Sequence, residues 1–478
     1  MNLTRIAAPL LALSLSAVVA FAQPPSYRVT HLGRNLTAVA MNDAGQVTGT
    51  FLSPKGLQLI FLWKNGTLKN LGALGFNGGT PTAINASGQV TGYVCDSCNV
   101  PIPPFSRNIF FWDGNTARNL GQGYGDAINK AGKIAANATV DIPNVGTDTH
   151  AHFWNGNSLR DLGTLGGTLS IAHDVNDAGH VTGASHDASG ATHAFLWNGS
   201  TMRDLGTLGG IGSVGAAINA LGQVTGRSST ASGASHAFLW DGTTMRDLGP
   251  TSPNLSCYAL DINDFGQVAG ECETLESDII GFAWDGSALL GLGFGAVRAS
   301  VRSINNSGFV TGTGAESGFY GYLWDGIATY KLDDLIDSDD PLASRVRIRG
   351  AKVINNRGQI LAEGRLDGAL RHTFLLTPAV THDLKGLTLS TSAVGGCRNV
   401  IGTVTLTRTA PAGGVRVALK DTMSAASMPT SVTIPQGAIS KNFTIRTTQV
   451  ATTQRGIIGA IMNGNSFTKT LRISPADC

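Results

Sequence analysis

The apolar and polar positions of this chain alternate in short runs. Residues 236–240 read H-A-F-L-W, and this period of two predicts a β-strand. An Asp-Gly pair follows at once, at Asp241 and Gly242, and such a pair indicates a tight hairpin turn. Both faces of the run are largely apolar, as expected of a strand in sheets that pack face to face.

This run belongs to a repeat that occurs eight times. Another part of the repeat has the pattern I-N-x-x-G-Q-V-x-G, and its Asn recurs at intervals of 42 to 50 residues. That period is typical of a four-stranded propeller blade. The eight repeat asparagines are Asn42, Asn85, Asn129, Asn176, Asn219, Asn263, Asn305 and Asn355.

The H-A-F-L-W run ends in Trp in seven copies of the repeat, and the eighth copy has Leu376 at that position. All seven tryptophans of the chain occupy this one position, so we expect them to form the core of the repeats. They are Trp63, Trp112, Trp154, Trp197, Trp240, Trp284 and Trp324.

Each repeat predicts four strands, which we call A to D, and the strand count predicts how the repeats close. After the eighth C strand the chain leaves through Thr377-Pro378 without a D-like run, whereas an unpaired D-like run lies at residues 27–33. We therefore predict an all-β chain with an eight-bladed β-propeller closed by its N-terminal strand, an arrangement that protects the ring edges. A superhelical β-solenoid is the alternative, and it would not need residues 27–33 to reach the last repeat.

The ends of the chain differ from the repeats. Arg5, the mostly apolar run 7–20 and the small-x-small site at 20–22 predict a signal peptide in residues 1–22, with a membrane anchor as the alternative. The apolar run is short for a bilayer span, so we expect a secreted protein without membrane insertion. The repeat propeller then covers residues 23–380. Seven alternating runs after it predict a seven-stranded β-sandwich over residues 381–478.

Six cysteines in an exported chain predict three disulfides. Cys257 and Cys272 lie symmetrically about the turn at 263–266, so the hairpin register places them opposite each other. The CxxC pair falls in a Pro-rich insertion, where a local bridge is expected, and the last two cysteines remain for the third bridge. The predicted bridges are Cys95–Cys98, Cys257–Cys272 and Cys397–Cys478.

The repeat resembles the HAF-type bacterial extracellular repeat, whose name matches His193-Ala194-Phe195 within the segment 190–210. The resemblance covers residues from about 27 to 380. It implies an exported bacterial protein without an established biochemical activity, and it carries over no catalytic residues. The segment 429–447 resembles bacterial immunoglobulin-like modules, which are commonly spacers or adhesive units.

Motifs for catalysis are missing from the sequence, since neither G-x-S-x-G nor H-E-x-x-H occurs. Histidines recur at one position of strand C, and we interpret them as structural. The formal charge of +2 gives no reason to expect nucleic acid. One acidic cluster lies at residues 271–278. Carboxylates in a second cluster are candidate calcium ligands, although the full calcium-binding loop is missing, and a solvated loop is the alternative. These candidates are Asp333, Asp334, Asp337, Asp339 and Asp340.

The sequence favours a secreted, non-enzymatic binding or scaffold protein without a cofactor other than calcium. We expect a monomer that contacts extracellular or cell-surface polysaccharide or protein. A glycosidase or lyase built on the propeller is the alternative, because the acidic clusters offer carboxylates that such enzymes use in pairs. Residues 381–478 hold ten Lys or Arg and three Asp, a net charge of +7. This module therefore either attaches to anionic polymers, through residues such as Arg398, Arg408, Arg416 and Lys420, or is an inert spacer.

Overall fold

The computed structural model describes residues 25–96, 107–143, 145–250, 255–274, 276, 278–293, 298–316, 318–379, 383–410 and 414–476. Within these ranges the chain forms β-strands and one short 3-10 turn, Leu332–Leu335. None of the described segments is a helix with the length and apolar character needed to cross a membrane. The predicted signal peptide, residues 1–22, lies outside the described residues.

The repeats fold as the antiparallel, four-stranded sheets of a β-propeller, because each contains four alternating runs joined by turns. The chain begins with β1 (Tyr27–Arg34). Repeats one to four then contribute β2 (Leu36–Met41), β3 (Val47–Leu52), β4 (Gln58–Lys64), β5 (Thr67–Gly72), β6 (Gly78–Ile84), β7 (Val90–Cys95), β8 (Arg107–Trp112), β9 (Ala117–Gln122), β10 (Tyr124–Ile128), β11 (Ile134–Ile142), β12 (Gly146–Trp154), β13 (Leu159–Asp161), β14 (Gly166–Val175), β15 (Val181–Asp187), β16 (Thr192–Trp197) and β17 (Met202–Asp204).

The later repeats follow the same order of strands A, B, C and D. Each is a separate four-stranded unit, except that two pairs of neighbouring units are joined by a single parallel residue pair, Gln58 with Gly78 and Ile279 with Arg298. Repeats five to eight contribute β18 (Gly209–Ile218), β19 (Val224–Thr230), β20 (Ser235–Trp240), β21 (Met245–Asp247), β22 (Leu255–Ile262), β23 (Val268–Thr274), β24 (Ile279–Trp284), β25 (Leu289–Gly291), β26 (Arg298–Ile304), β27 (Val310–Ala315), β28 (Phe319–Trp324), β29 (Thr329–Lys331), β30 (Val346–Ile354), β31 (Ile360–Leu366) and β32 (Ala369–Pro378).

The N-terminal strand supplies the fourth strand of the last repeat, as predicted. β1 pairs antiparallel with β32, and the sheet order is β1-β32-β31-β30. His31 stands opposite Phe374, which is the register that Asp204 of strand D has opposite Phe195 in the fourth repeat. β1 therefore takes the place of strand D.

The repeat asparagines link the units into a closed ring. The side-chain Oδ1 of Asn219 accepts hydrogen bonds from the Leu221 and Gln223 N–H groups at 3.1 and 3.0 Å, and Gly222 completes this turn with a φ of 82° that favours glycine. Asn219 Nδ2 then donates to the Asn263 carbonyl of the next repeat at 3.1 Å. The same bond to the following repeat occurs at all eight positions.

The last of these bonds closes the circle. Asn355 Nδ2 donates to the Asn42 carbonyl at 3.0 Å, across a separation of 313 residues in sequence. A superhelical solenoid would leave the first and last repeats apart, so this bond and the pairing of β1 with β32 identify a closed ring.

Apolar side chains of strand C form the packing between neighbouring sheets. One cluster contains Ala151 and Phe153 of the third repeat together with Phe195 and Trp197 of the fourth, so the interface between two sheets is also their core. Six of the tryptophans are buried and Trp154 is half-buried. A strand-D cation covers several of these rings, for example in the pairs Arg160–Trp197, Arg203–Trp240 and Arg246–Trp284, at 5.4, 5.0 and 4.9 Å from the ring centroid.

The predicted disulfide in the sixth repeat is confirmed. Cys257 and Cys272 are bonded and stand opposite each other in the ladder between β22 and β23. Cys95 and Cys397 are also disulfide-bonded. Their predicted partners, Cys98 and Cys478, lie outside the described residues.

The described residues after 383 form two sheets around one apolar cluster. They contain nine strands rather than the seven predicted, because β34 and β37 are only three and two residues long and show no alternation. The sheet orders are β33-β35-β39-β37 and β34-β41-β40-β36-β38. These strands are β33 (Leu384–Leu389), β34 (Ala393–Gly395), β35 (Asn399–Leu406), β36 (Val415–Asp421), β37 (Ala426–Ser427), β38 (Ser431–Ile434), β39 (Ser440–Thr447), β40 (Gln454–Met462) and β41 (Asn465–Ser474).

Candidate functional site: the central channel

Strand A of every repeat lies innermost and lines a central channel. Each A strand contacts the A strand of the next repeat, and β30 of the last repeat contacts β2 of the first. Strands B, C and D follow outward from it in each sheet. Side chains on the inner side of strand A therefore face the channel.

Strand A carries a β-bulge at the same place in all eight repeats. The bulged residue is the third before the repeat Asn, where the pairing with strand B shifts register. A bulge leaves one residue unpaired and turns its side chain to a new direction. We call these eight residues the bulge ring: Val39, Thr82, Asp126, His173, Ala216, Leu260, Arg302 and Lys352.

Side chains of the bulge ring reach open space although their neighbours are packed. Leu260 is 40% exposed, whereas Ala259 before it is 2% exposed. Arg302 is likewise exposed between the buried Val301 and Ile304. This contrast is expected if the bulged side chain faces the channel and the flanking residues pack between sheets.

The bulge ring varies in chemistry, whereas the repeat Asn and the apolar residue before it do not. The repeat Asn is the same in all eight copies, and the residue before it is always apolar, Ile, Val or Met. The bulge position instead holds an acid, an imidazole, two cations, a hydroxyl and three aliphatic side chains. A position with a purely structural task would be expected to repeat, so the bulge ring is the variable position of strand A that faces the channel.

Asp126 is the bulge-ring acid, and it makes no hydrogen bond or ion pair with any described residue. Burial alone raises the pKa of its carboxyl to about 6. Asp174, in the next repeat, is different because it accepts the Ile218 N–H at 2.9 Å and the Val175 N–H at 2.8 Å. Burial outweighs these bonds and raises the pKa of Asp174 to about 6 as well.

The two cations of the bulge ring also differ. Lys352 Nζ lies 3.0 Å from a Glu363 carboxylate oxygen, so its charge is paired. Arg302 forms neither a salt bridge nor a hydrogen bond within the described part of the chain. Glu271, from the first acidic cluster, lies in the same part of the ring and accepts the Ser300 hydroxyl at 2.8 Å and a backbone N–H at 2.7 Å.

At the end where the turns of the repeat asparagines lie, the channel opens into a cavity of about 330 Å³. Its lining includes repeat asparagines, the aliphatic residues before them and the residues that follow them. Six of the eight residues that follow are polar and bond to one another, as when the Asn356 N–H donates to Asp43 at 2.9 Å and Lys130 pairs with Asp177 at 2.6 Å. The cavity is therefore rimmed by groups that are already paired.

The C-terminal module packs against this same end. The Gly464 carbonyl accepts a hydrogen bond from Asn305 Nδ2 at 3.2 Å, and the Ser466 N–H donates to the Asn356 carbonyl at 2.6 Å. The Lys420 ammonium lies 5.7 Å over the Phe265 ring, and burial lowers its pKa. Lys420 is thus engaged with the propeller, which corrects its assignment to a surface that binds anionic polymers.

Recurring histidines are bonded within their own sheets. His150, His193 and His236 each place Nδ1 at 2.8 to 2.9 Å from an Asp of strand D. In the last repeat, where β1 replaces strand D, His372 Nδ1 instead lies 2.9 Å from His31 Nε2. These contacts agree with a structural role.

The calcium candidates lie in the connection that fastens β1. Asp340 accepts the Val29 N–H at 2.8 Å, and Asp337 pairs with Arg28 at 3.1 Å. The other candidates are Asp333, which accepts the Ile348 N–H at 2.7 Å, Asp334 in the 3-10 turn, and Asp339, whose N–H donates to Asp337 at 3.0 Å. Across the described ranges, no group of three or more ligating side chains is placed to hold a metal ion, and calcium binding stays a prediction.

No protein-family model matches this chain, and no curated protein matches it. Among solved structures it is similar to the propeller domain of the trilobed protease of Pyrococcus furiosus, with 15% identity over 54% of this chain and 84% of that one and a TM-score of 0.41. It is also similar to a Mycobacterium tuberculosis puromycin-hydrolyzing peptidase, with 11% identity, coverage of 79% and 65% and a TM-score of 0.42. This chain thus spans less than two thirds of that peptidase. The six-bladed lectin of Aleuria aurantia gives 12% identity, coverage of 64% and 96% and a TM-score of 0.30.

Proposed function

We propose that this chain is a secreted, non-enzymatic binding protein that recognises its ligand in the central channel. In this proposal residues 23–380 form an eight-bladed propeller and residues 381–478 an immunoglobulin-like sandwich. The bulge ring carries the proposal, because strand A presents one bulged residue per repeat to the channel and the chemistry of that residue differs among the repeats. The ring of eight Asn bonds supports the blade count, and the resemblance to the HAF-type repeat supports export.

An enzyme would need catalytic groups within reach of one another. Three carboxylates, those of Asp174 and Asp261 on strand A and of Glu271 on strand B, accept backbone N–H groups of the next sheet at 2.7 to 2.9 Å. They hold neighbouring sheets together, so we assign them to the scaffold. The ligand in this proposal is an extracellular glycan or a surface protein.

A carbohydrate-active enzyme remains a second candidate because of one observation. A carboxyl with a pKa of about 6, as at Asp126, has the protonation behaviour of a general acid. A glycosidase also needs a second carboxylate across the scissile bond. Asp174 interacts electrostatically with Asp126, but its carboxylate already accepts two backbone N–H groups.

One paired experiment distinguishes the binding protein from the carbohydrate-active enzyme. The mature chain, from Gln23 onward, is applied to glycan and peptide arrays, and in parallel to a polysaccharide panel on which reducing ends are measured. We expect binding on an array without release of reducing ends. Release that disappears in Asp126→Asn would establish the enzyme instead.

A further inference from the structure

Two charged side chains of the bulge ring have no partner among the described residues. His173 Nδ1 lies 2.7 Å from the Gly215 carbonyl oxygen, and Lys352 is paired with Glu363. The remaining charged members, Asp126 and Arg302, form no hydrogen bond or ion pair with the described residues. Asp126 is half-buried and has lost hydration without compensation, whereas Arg302 is exposed, and each can bind an external group of opposite sign.

These two groups lie on opposite walls of the channel. Asp126 belongs to the third repeat and Arg302 to the seventh. Counted through the ring of Asn bonds, four steps lead from Asn129 to Asn305 and four more lead back. In a closed ring of eight positions, the third and the seventh are diametrically opposed.

The opposed charges select ligands by sign. An acidic polysaccharide would be attracted to Arg302 and repelled by Asp126, and a polycation would meet the reverse. Only a ligand with both signs neutralises both groups, and a mismatched charge costs affinity. Polypeptides commonly carry both signs on side chains with apolar stems, which suit the aliphatic members Val39, Ala216 and Leu260 of the same ring.

We propose that the central channel binds an extended peptide segment of a surface or secreted protein, with a basic side chain at Asp126 and an acidic side chain at Arg302. This inference rests on the proposed function, since it requires the channel to be a binding site. It names the ligand as polypeptide rather than polysaccharide.

The test uses fluorescence anisotropy with the full mature chain. The probes are short labelled peptides that carry one Lys and one Glu separated by Gly-Ser spacers of increasing length, with matched peptides that carry only Lys or only Glu. We expect one range of spacer lengths to bind and the single-charge peptides to bind at least tenfold more weakly, roughly the effect of one charge-assisted hydrogen bond.

Charge variants locate the site. Asp126→Asn and Arg302→Gln should each weaken the mixed-charge peptide by about tenfold. The matched control is Lys331→Met combined with Glu316→Gln, which removes a paired charge of each sign outside the bulge ring and should leave affinity within about twofold. Thermal melting confirms that each variant is folded.

The double charge reversal, Asp126→Arg with Arg302→Asp, is the most discriminating variant. It turns the channel dipole around, and a flexible peptide can enter in the opposite direction, so we expect most of the lost affinity to return. A folded double variant without recovered affinity would overturn the opposed-charge arrangement.

The remaining outcomes distinguish this inference from the proposed function. If glycans on the array bind and no peptide does, the peptide assignment is wrong and the binding function stands. Peptides that bind equally well to Asp126→Asn and Arg302→Gln place the ligand outside the bulge ring, which also overturns the inference. Cleavage of a bound ligand would refute the non-enzymatic function itself.

Discussion

Replacing Asn355 by Ala tests whether the ring closes through its repeat asparagine. Asn355 is 5% exposed, and its side chain makes four hydrogen bonds: Nδ2 donates to the Asn42 carbonyl and to Gln359 Oε1, and Oδ1 accepts two backbone N–H groups of its own turn. At about 0.5–1.5 kcal/mol of net stability for each of the four bonds, the variant should lose about 2–6 kcal/mol of unfolding free energy in a urea titration.

Asn219→Ala is the matched control, because Asn219 makes the same four kinds of bond between the fifth and sixth repeats. In a closed ring the two substitutions should cost about the same. In an open solenoid Asn355 would have no acceptor in the first repeat. The unfolding free energy lost in Asn355→Ala would then come only from the bonds within its own turn. A much smaller loss for Asn355→Ala than for Asn219→Ala would refute ring closure.

Three further predictions concern stability. Tyr27→Ala should lower the unfolding free energy by about 3–5 kcal/mol in a urea titration, because this ring at the start of β1 is 1% exposed; an unchanged midpoint would mean that β1 is dispensable. Replacing Cys257 and Cys272 by Ala should cost about 3 kcal/mol for a bridge that spans 15 residues, and peptide mapping that found either cysteine free in the native protein would contradict the register. Asp174 has a pKa of about 6 in the folded state, above its unfolded value of 3.8. As pH falls from 7 through 6, the folded state therefore binds this proton at a higher pH than the unfolded state does, and the free energy of unfolding rises. Thermal melts of Asp174→Asn between pH 7 and 5 should show a flatter profile than the natural chain, and an equally steep profile would assign the effect to another group.

Much of the fold could be predicted from recurring identities. The repeat Asn, the Trp at the end of strand C and the surplus D-like run at residues 27–33 were sufficient to predict propeller sheets and the role of β1. Hairpin symmetry about residues 263–266 likewise placed Cys257 opposite Cys272. Each of these features is local in sequence or repeats with a fixed period.

The channel could not be predicted in the same way. A bulge is a property of backbone pairing, which the sequence does not state directly. Because the bulge position has no recurring residue type, a consensus of the repeats does not mark it. The sequence signal that could have found it was variation rather than recurrence, at the position three residues before the invariant Asn. Other contacts join segments that are distant in sequence and therefore leave no local pattern. Asp340 accepts a hydrogen bond from the Val29 N–H across 311 residues, and the Lys420 ammonium packs over the Phe265 ring. From the sequence, Asp340 was a candidate calcium ligand or part of a solvated loop, and Lys420 part of a surface for anionic polymers or of a spacer.

Native mass spectrometry of the mature chain with its best array ligand tests most directly whether the channel holds a ligand without converting it. We predict a complex of one ligand per chain, a ligand of unchanged mass after release, and loss of the complex in the variant that combines Asp126→Asn with Arg302→Gln. A ligand returned as fragments, or a complex that persists in that variant, would contradict the account.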